Sequence, residues 1–255
     1  MSAFLETAIA AAQSAQTVIS HYYRQNIDIT LKADQSPVTV ADVESEKAIK
    51  SVIFARFPEH GCFGEETGQE RMDSPYLWLI DPIDGTKSFV RQYPFFSTQI
   101  ALRHGQDWLL GVSNAPEFAQ LAHAEQGGGA FLNDRPVHVS EVTQLADATL
   151  SIGNVNTLAG SPGWQGLASI VQQVNRTRGY GDFYHYHLLA SGSIDLVIES
   201  DVNILDIAAL AVIVREAGGV FTDLEGQPLS LRTTSVLAAA TPELHQIALQ
   251  AIRNA

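Results

Sequence analysis

The stretch Trp78-Leu79-Ile80-Asp81-Pro82-Ile83-Asp84-Gly85-Thr86-Lys87-Ser88-Phe89 places two carboxylates three residues apart at the end of an apolar run. Pro82, between them, has no backbone N–H and keeps the pair out of a regular helix. The acids therefore sit in a fixed turn that can aim both at one small volume. Carboxylates crowded in that way repel and raise each other's pKa unless a cation lies between them. Mg2+, which takes hard oxygen ligands, meets that need. Gly85-Thr86 follows directly and precedes a segment able to begin a helix, so backbone N–H groups and the Thr86 hydroxyl can face an anion there. Taken alone, the fragment fits a polar turn as well as a metal site, because Asp, Pro and Gly are common turn formers.

Two further acidic features favour the metal site. Phe63-Gly64-Glu65-Glu66-Thr67-Gly68 sets adjacent acids in a glycine-flanked loop able to approach a ligand closely. Neighbouring side chains point different ways, so one acid can bind metal while the other does not. Asp206, in Asn203-Ile204-Leu205-Asp206-Ile207-Ala208, is an acid among apolar residues at the start of a helix. By itself it reads equally as an acid complementing the helix dipole.

Composition narrows the classes of function. With 28 acidic against 15 basic residues the chain carries a formal charge of −13, which repels a nucleic-acid backbone. A protein that handles anionic phosphate on such a surface draws local positive charge most economically from bound cations. The single cysteine, Cys62, excludes an internal disulfide and a thiolate-built zinc site and reads as a buried, inert thiol. No stretch approaches the roughly 20 apolar residues of a membrane span, and the N-terminus lacks a basic region followed by an apolar run. The expectation is a cytoplasmic protein.

The elements that must position these acids can be read from periodicity and caps. A helix is expected from Ala3 to Tyr23 behind Ser2, and a second from Val40 to Phe57 with Thr39 and Asp42 forming a capping box and Pro58 ending it. Asp42 thus has a structural role available. A buried strand over Tyr76–Ile80 delivers Asp81, and strands follow at Ser97–Arg103, Trp108–Ser113, Ala119–Ala124 and Ala130–Val139. After Glu141 strands and helices alternate, with helices near 164–174, 183–190 and 204–217 and a last one opened by Thr241-Pro242-Glu243. A soft boundary near residue 140 divides an α+β half, 1–140, carrying Glu65 and the Asp81–Thr86 loop, from an α/β half, 141–255, carrying Asp206 and substrate-pocket residues. Two layered halves with ligand-bearing loops in the crevice between them follow from this pattern.

Asp34-Gln35-Ser36-Pro37-Val38-Thr39-Val40-Ala41-Asp42, Gly64-Glu65-Glu66, Trp78 through Phe89, and Asp206 through Gly219 together resemble the inositol monophosphatase family of metal-dependent phosphatases. Ser36-Pro37-Val38-Thr39, Lys87-Ser88-Phe89-Val90-Arg91 and Gly179-Tyr180-Gly181-Asp182-Phe183-Tyr184 are similar to its histidinol-phosphate phosphatase branch. The resemblance implies a layered αβαβα sandwich and commonly a homodimer. It implies two or three Mg2+ ions per site, replaceable by Mn2+, held by Glu65, Asp81, Asp84, Asp206 and the backbone carbonyl of Ile83. Gly85 and Thr86 would bind the phosphate, and Asp42 would lie beside a metal-coordinated water or act as a weak ligand. The chain departs from the family at Ile204-Leu205, where an aromatic residue usually precedes the aspartate, and this touches the wall of the substrate pocket.

The reaction expected is in-line attack of water on a phosphate monoester, the water oriented by Glu65 and Thr86, with no covalent intermediate. For histidinol phosphate, which carries an ammonium group and an imidazole, Asp182, Glu199 and Asn203 are the candidate contacts. Asp182 also reads as the N-cap of the helix starting at Phe183. Lys87 and Arg91 read as solvated, and His185 and His187 are poor ligands for Mg2+. Hydrolysis of an inositol phosphate or another sugar phosphate by the same machinery is the alternative. A regulatory binding protein on this fold is an alternative of another class.

Overall fold

The computed structural model describes residues 1–25, 29–31 and 37–253, so Asp34, Gln35 and Ser36 lie outside the described residues. In chain order the elements are α1 (Ala3–Tyr22), β1 (Ile29–Leu31), β2 (Pro37–Thr39), α2 (Val40–Arg56), β3 (Gly61–Gly64), β4 (Gly68–Glu70), β5 (Tyr76–Asp84), α3 (Thr86–Val90), β6 (Ser97–His104), β7 (Asp107–Ala115), β8 (Gln120–Glu125), β9 (Ala130–Leu132), β10 (Arg135–Val137) and β11 (Thr149–Ile152). Then come α4 (Val155–Ala159), α5 (Trp164–Gln173), β12 (Arg176–Arg178), α6 (Tyr184–Ala190), β13 (Leu196–Ser200), α7 (Ile204–Glu216), β14 (Val220–Thr222), β15 (Ser235–Ala239) and α8 (Pro242–Arg253).

An eight-stranded sheet runs β10-β9-β8-β7-β6-β5-β3-β4 and a five-stranded sheet runs β12-β11-β13-β15-β14. Successive side chains of a strand point to opposite faces, and the apolar residues divide accordingly. On β5, Trp78 and Ile80 join α1 and α2 in one core, while Leu77 and Leu79 join α6 and α7 in another. On β15, Val236 and Ala238 face that second core, and Leu237 and Ala239 face a third, with Leu158 of α4, Leu167 and Ile170 of α5 and Leu244 of α8. The layers are therefore helices α1/α2, large sheet, helices α6/α7, small sheet, helices α4/α5/α8, which is the αβαβα arrangement. Because α7 lies between two sheets, ten of its residues from Ile204 to Val214 are buried, as a helix enclosed on all sides requires.

The caps form as the sequence dictates. Ser2 accepts from the Leu5 N–H, and Thr39 with Asp42 closes a capping box on α2. Elsewhere the structure departs from the pattern read above. The strand expected over 130–139 breaks at Asn133 and Asp134, whose positive φ values of 49° and 59° make a two-residue hairpin turn that Asn and Asp tolerate. It becomes the β9–β10 hairpin, pairing Leu132 with Arg135. Strand β5 continues through Asp84, its register with β6 shifting between Asp81 and Asp84, where Pro82 cannot donate to the ladder. The two acids thus sit on a bulged strand end and not in a turn beyond the strand, though they are fixed as expected. The short elements β1, β2, β3, β4, α4 and β12 were not expected, since runs of three to five residues carry little periodicity.

His187 ties α6 to the large sheet: Nδ1 lies 2.9 Å from Gln120 Oε1 and Nε2 2.8 Å from Ser113 Oγ. An amide oxygen only accepts, so Nδ1 carries a proton. Burial pushes its pKa down to about 3. Below the ordinary value of 6.5 the unfolded chain takes up a proton that the folded protein refuses, so this site lowers stability as pH falls from about 6.5 towards 3, by about 1.4 kcal/mol per pH unit at most. His187→Gln is expected to flatten the acid limb of the stability–pH curve measured by urea unfolding between pH 7 and 4.

Candidate active site

Strand β5 runs parallel to β3 with Gly64 opposite Ile80, and the Glu65 N–H donates to the Ile80 carbonyl at 3.1 Å. This brings the start of the 65–67 turn beside Asp81. Asp81 is buried, and one of its oxygens accepts from the Ile83 N–H at 3.0 Å. Asp84 receives Gln99 Nε2 at 3.4 Å and Ser97 Oγ at 3.5 Å from the neighbouring strand β6. Asp206 enters from the start of α7, where it takes the Asn203 N–H at 2.8 Å and Asn203 Nδ2 at 2.7 Å. Asp81, Asp84 and Asp206 each present an oxygen within 4.8 Å of the others.

These acids strain one another electrostatically. Burial raises the Asp81 pKa well above its ordinary value, and the charges of Glu65, Asp84 and Asp206 add to it. Asp84 is raised by burial and then by Asp182 and Asp206. Asp206 is pushed up to about 7, burial being opposed by the Asn203 donors and reinforced by Glu65 and Glu199. Glu65 and Asp81 lie close enough for each charge to oppose the other, and a cation between them would relieve that repulsion. Every donor in the set is oxygen, the chemistry of a hard divalent cation, so the residues fit a metal of that type.

Directly after Asp84, Gly85 has φ 90° and occupies the cap position before α3. A Cβ there would overlap the Phe95 carbonyl, so both the left-handed backbone and the space demand glycine. The Thr86 hydroxyl lies 3.0 Å from the Ile83 carbonyl and 3.2 Å from Asp42 Oδ1. Asp42 is buried behind the cleft, and its other oxygen is occupied by the Thr39 N–H and hydroxyl. Burial is the largest cause of its raised pKa.

The acids open on a cleft of about 290 Å3 that is also lined by Asp182, Tyr186, Glu199, Asp201 and Asn203. Glu199 is buried, and its Oε2 receives the Tyr186 hydroxyl at 2.7 Å and stands 3.0 Å from His185 Nε2. Asp182 is pushed up to about 6 by burial and by Glu199. It does not cap α6, which starts at Tyr184 without a side-chain cap; Asp182 has φ 44° two residues earlier. Asn203 lines the cleft, but its amide is committed to the α7 cap, its Oδ1 accepting from Leu205 N at 2.7 Å. Lys87, read as solvated, is exposed yet lines the cleft. Tyr186, Asn154 and Asp201 also line it, and nothing in the sequence pattern singled them out; alternating Tyr and His on a helix resembles an ordinary packing face.

The model of the inositol monophosphatase family matches residues 1–255. The chain belongs to that family. It is accordingly a phosphoric monoester hydrolase of a metal-dependent kind. It is 35% identical over 224 residues to the histidinol-phosphatase of Chlorobaculum parvum, covering 88% of this chain and 86% of that protein. It is 32% identical over 243 residues to the inositol-1-monophosphatase of Mesorhizobium japonicum, covering 93% and 91%. The crystal structure of extragenic suppressor protein suhB from Bartonella henselae superposes with a TM-score of 0.91 at 30% identity, over 99% of each chain. The two chains thus share one fold. No helix among the described residues is long and apolar enough to cross a membrane.

A folded-state pKa of about 7 for Asp206, against an ordinary 3.8, means that the metal-free protein holds a proton there which the unfolded chain releases. Stability of the metal-free protein is expected to fall as pH rises from about 4 through 7, by up to about 1.4 kcal/mol per unit for this group. Calorimetry in chelator between pH 5 and 8 should show that fall, Asp206→Asn should lessen it, and saturating divalent cation should remove it.

Proposed function

We propose that the chain is a Mg2+-dependent phosphomonoesterase whose substrate is L-histidinol phosphate, released as L-histidinol and phosphate. The observation that carries the choice of substrate is the pair Asp182 and Glu199 in the lining of the cleft. These acids are surplus to the group that would hold cations, and Asp182 is raised to about 6 largely because burial and Glu199 disfavour its charge. An ammonium group seated there would relieve that repulsion. The 35% identity to a histidinol-phosphatase supports the same reading.

On this reading Glu65, Asp81, Asp84, Asp206 and the Ile83 carbonyl hold the ions, Gly85 and Thr86 bind the phosphate, and Asp182 and Glu199 bind the amino end. Residues 1–140 and 141–255 each supply part of the site. Bound Mg2+ supplies a lowered pKa for water and charge neutralisation at the phosphate. The single hydroxyl proton of Thr86 is engaged by Ile83 or Asp42, so towards the cleft Thr86 accepts from the attacking water and orients it. Glu65 accepts the other proton of that water. Asp42 holds Thr86 in place, and Asn203 acts through Asp206 by capping it. The resemblance further supports a homodimer.

Inositol 1-phosphate is the second reading, supported by the inositol-1-monophosphatase relative; its hydroxyls would donate to the same acids. Steady-state assays with both substrates in Mg2+ test the choice. A higher kcat/KM for histidinol phosphate is expected, and preference for inositol 1-phosphate would refute it. Asp182→Asn should lower kcat/KM for histidinol phosphate by roughly 10- to 150-fold, the worth of a charged hydrogen bond of about 1.5–3 kcal/mol, and affect inositol 1-phosphate far less. Asp84→Asn should reduce turnover of either substrate about 1000-fold or more at unchanged far-ultraviolet circular dichroism.

A further inference from the structure

Helix α2 presents Asp42, Glu46 and Lys50 one turn apart on one stripe, and all three are buried. Charged residues are almost never fully buried unless something holds them. Asp42 is accounted for by Thr39 and Thr86. Glu46, with no exposed surface, lies outside the cleft and outside every role assigned above.

Its carboxylate is held by the loop that carries Glu65. Glu46 Oε2 accepts from the Glu66 N–H at 2.7 Å, and Oε1 accepts from the Thr67 N–H at 3.1 Å and from the Thr67 hydroxyl. Lys50 Nζ stands 3.3 Å from Glu46 Oε1 and reaches on to the Thr67 hydroxyl and to Glu70 Oε1 at 2.8 Å, on β4. On the other side of Glu65, a Cβ on Gly64 would overlap the same Glu46 carboxylate, so the end of β3 runs against it. Residues 64, 66 and 67 are thus in contact with one carboxylate, while the Glu65 N–H is fixed to Ile80. The backbone that bears Glu65 is clamped between α2 and β5.

Stability alone is a weak explanation for such a cluster, because a buried ion pair is often no better than apolar packing of the same volume. Fixing a ligand's backbone does call for it: partners behind ligating groups typically change metal affinity 10- to 100-fold when removed. We propose that Glu46 is a positioning residue which holds the 64–67 loop so that Glu65 is set for the cation, and that it thereby governs cation affinity without touching cation or substrate. This rests on the reading of Glu65 as a metal ligand.

The test is a double-mutant cycle on the full chain, read by calorimetric titration of Mg2+ into metal-free protein and by activity across Mg2+ concentrations. Glu46→Gln keeps the volume but turns an amide N–H2 towards loop donors. It is expected to weaken Mg2+ binding about 10- to 100-fold, to raise the Mg2+ concentration for half-maximal activity equally, and to leave KM at saturating Mg2+ within about threefold. Glu46→Gln combined with Glu65→Gln should bind Mg2+ no more weakly than Glu65→Gln alone. Additive losses, or unchanged Mg2+ binding in Glu46→Gln, would overturn the inference. Should Glu65→Gln itself leave binding intact, the ligand reading of Glu65 has failed and the inference falls with it; an effect of Glu65→Gln without one of Glu46→Gln refutes the positioning role only. If Glu46→Gln does not fold, Thr67→Val, which removes one donor, should weaken binding in the same direction by a smaller factor, and no change there would likewise overturn it.

Discussion

Repulsion among carboxylates gathered in a low-dielectric cleft is the constraint on which the rest of this molecule depends. Asp81, Asp84 and Asp206 come within 4.8 Å of one another, with the charge of Glu65 near enough to Asp81 to raise its pKa further. No packing advantage draws such groups together. The folded scaffold imposes their approach, and burial then amplifies it, because removing water strips the charges of the solvent that would screen them. The free energy held in that contact is what a divalent cation can release on binding. The two-sheet core, with α7 enclosed between the sheets, is the apolar mass that makes the imposition possible.

The scaffold reaches the site through helix starts and strand ends, where backbone geometry is least regular. Asp42 and Asp206 occupy the same place in two capping boxes, each accepting the N–H of its cap residue. Capping therefore does not compete with a functional role. It supplies donors that steady a carboxylate and fix its direction, and at Asp206 those donors oppose part of the burial penalty. On the β5 side the register shift between Asp81 and Asp84 has a comparable effect, since a regular strand would send residues three apart to opposite faces.

Much of the fold was legible from local chemistry. Ser2 and Thr39 are helix starts because their hydroxyls cap, and the apolar run of β5 reads as a strand covered on both faces. The failures fall where local signals are short or ambiguous. Asn133-Asp134 left the hairpin hidden inside one apparent strand, β12 pairs parallel at an edge with only three residues, and Asp182 looked like a cap although its left-handed backbone takes it out of that role. Within the site, Tyr186 could not be told from a packing residue, because only the fold carries its hydroxyl to Glu199.

By itself the amino-acid order determined the kind of chemistry available: oxygen donors without a thiolate set, and acids placed at the end of an apolar strand and the start of a helix. The tertiary structure alone decided which acids meet, that Lys87 faces the cleft, that Asn203 serves the cap of α7, and that Glu46 lies under the loop of Glu65. The reason is physical. Caps, turns and strand alternation arise from contacts within a few residues, whereas carboxylates from β5, α7 and the β3–β4 turn are brought together only by the packing of the layers that carry them.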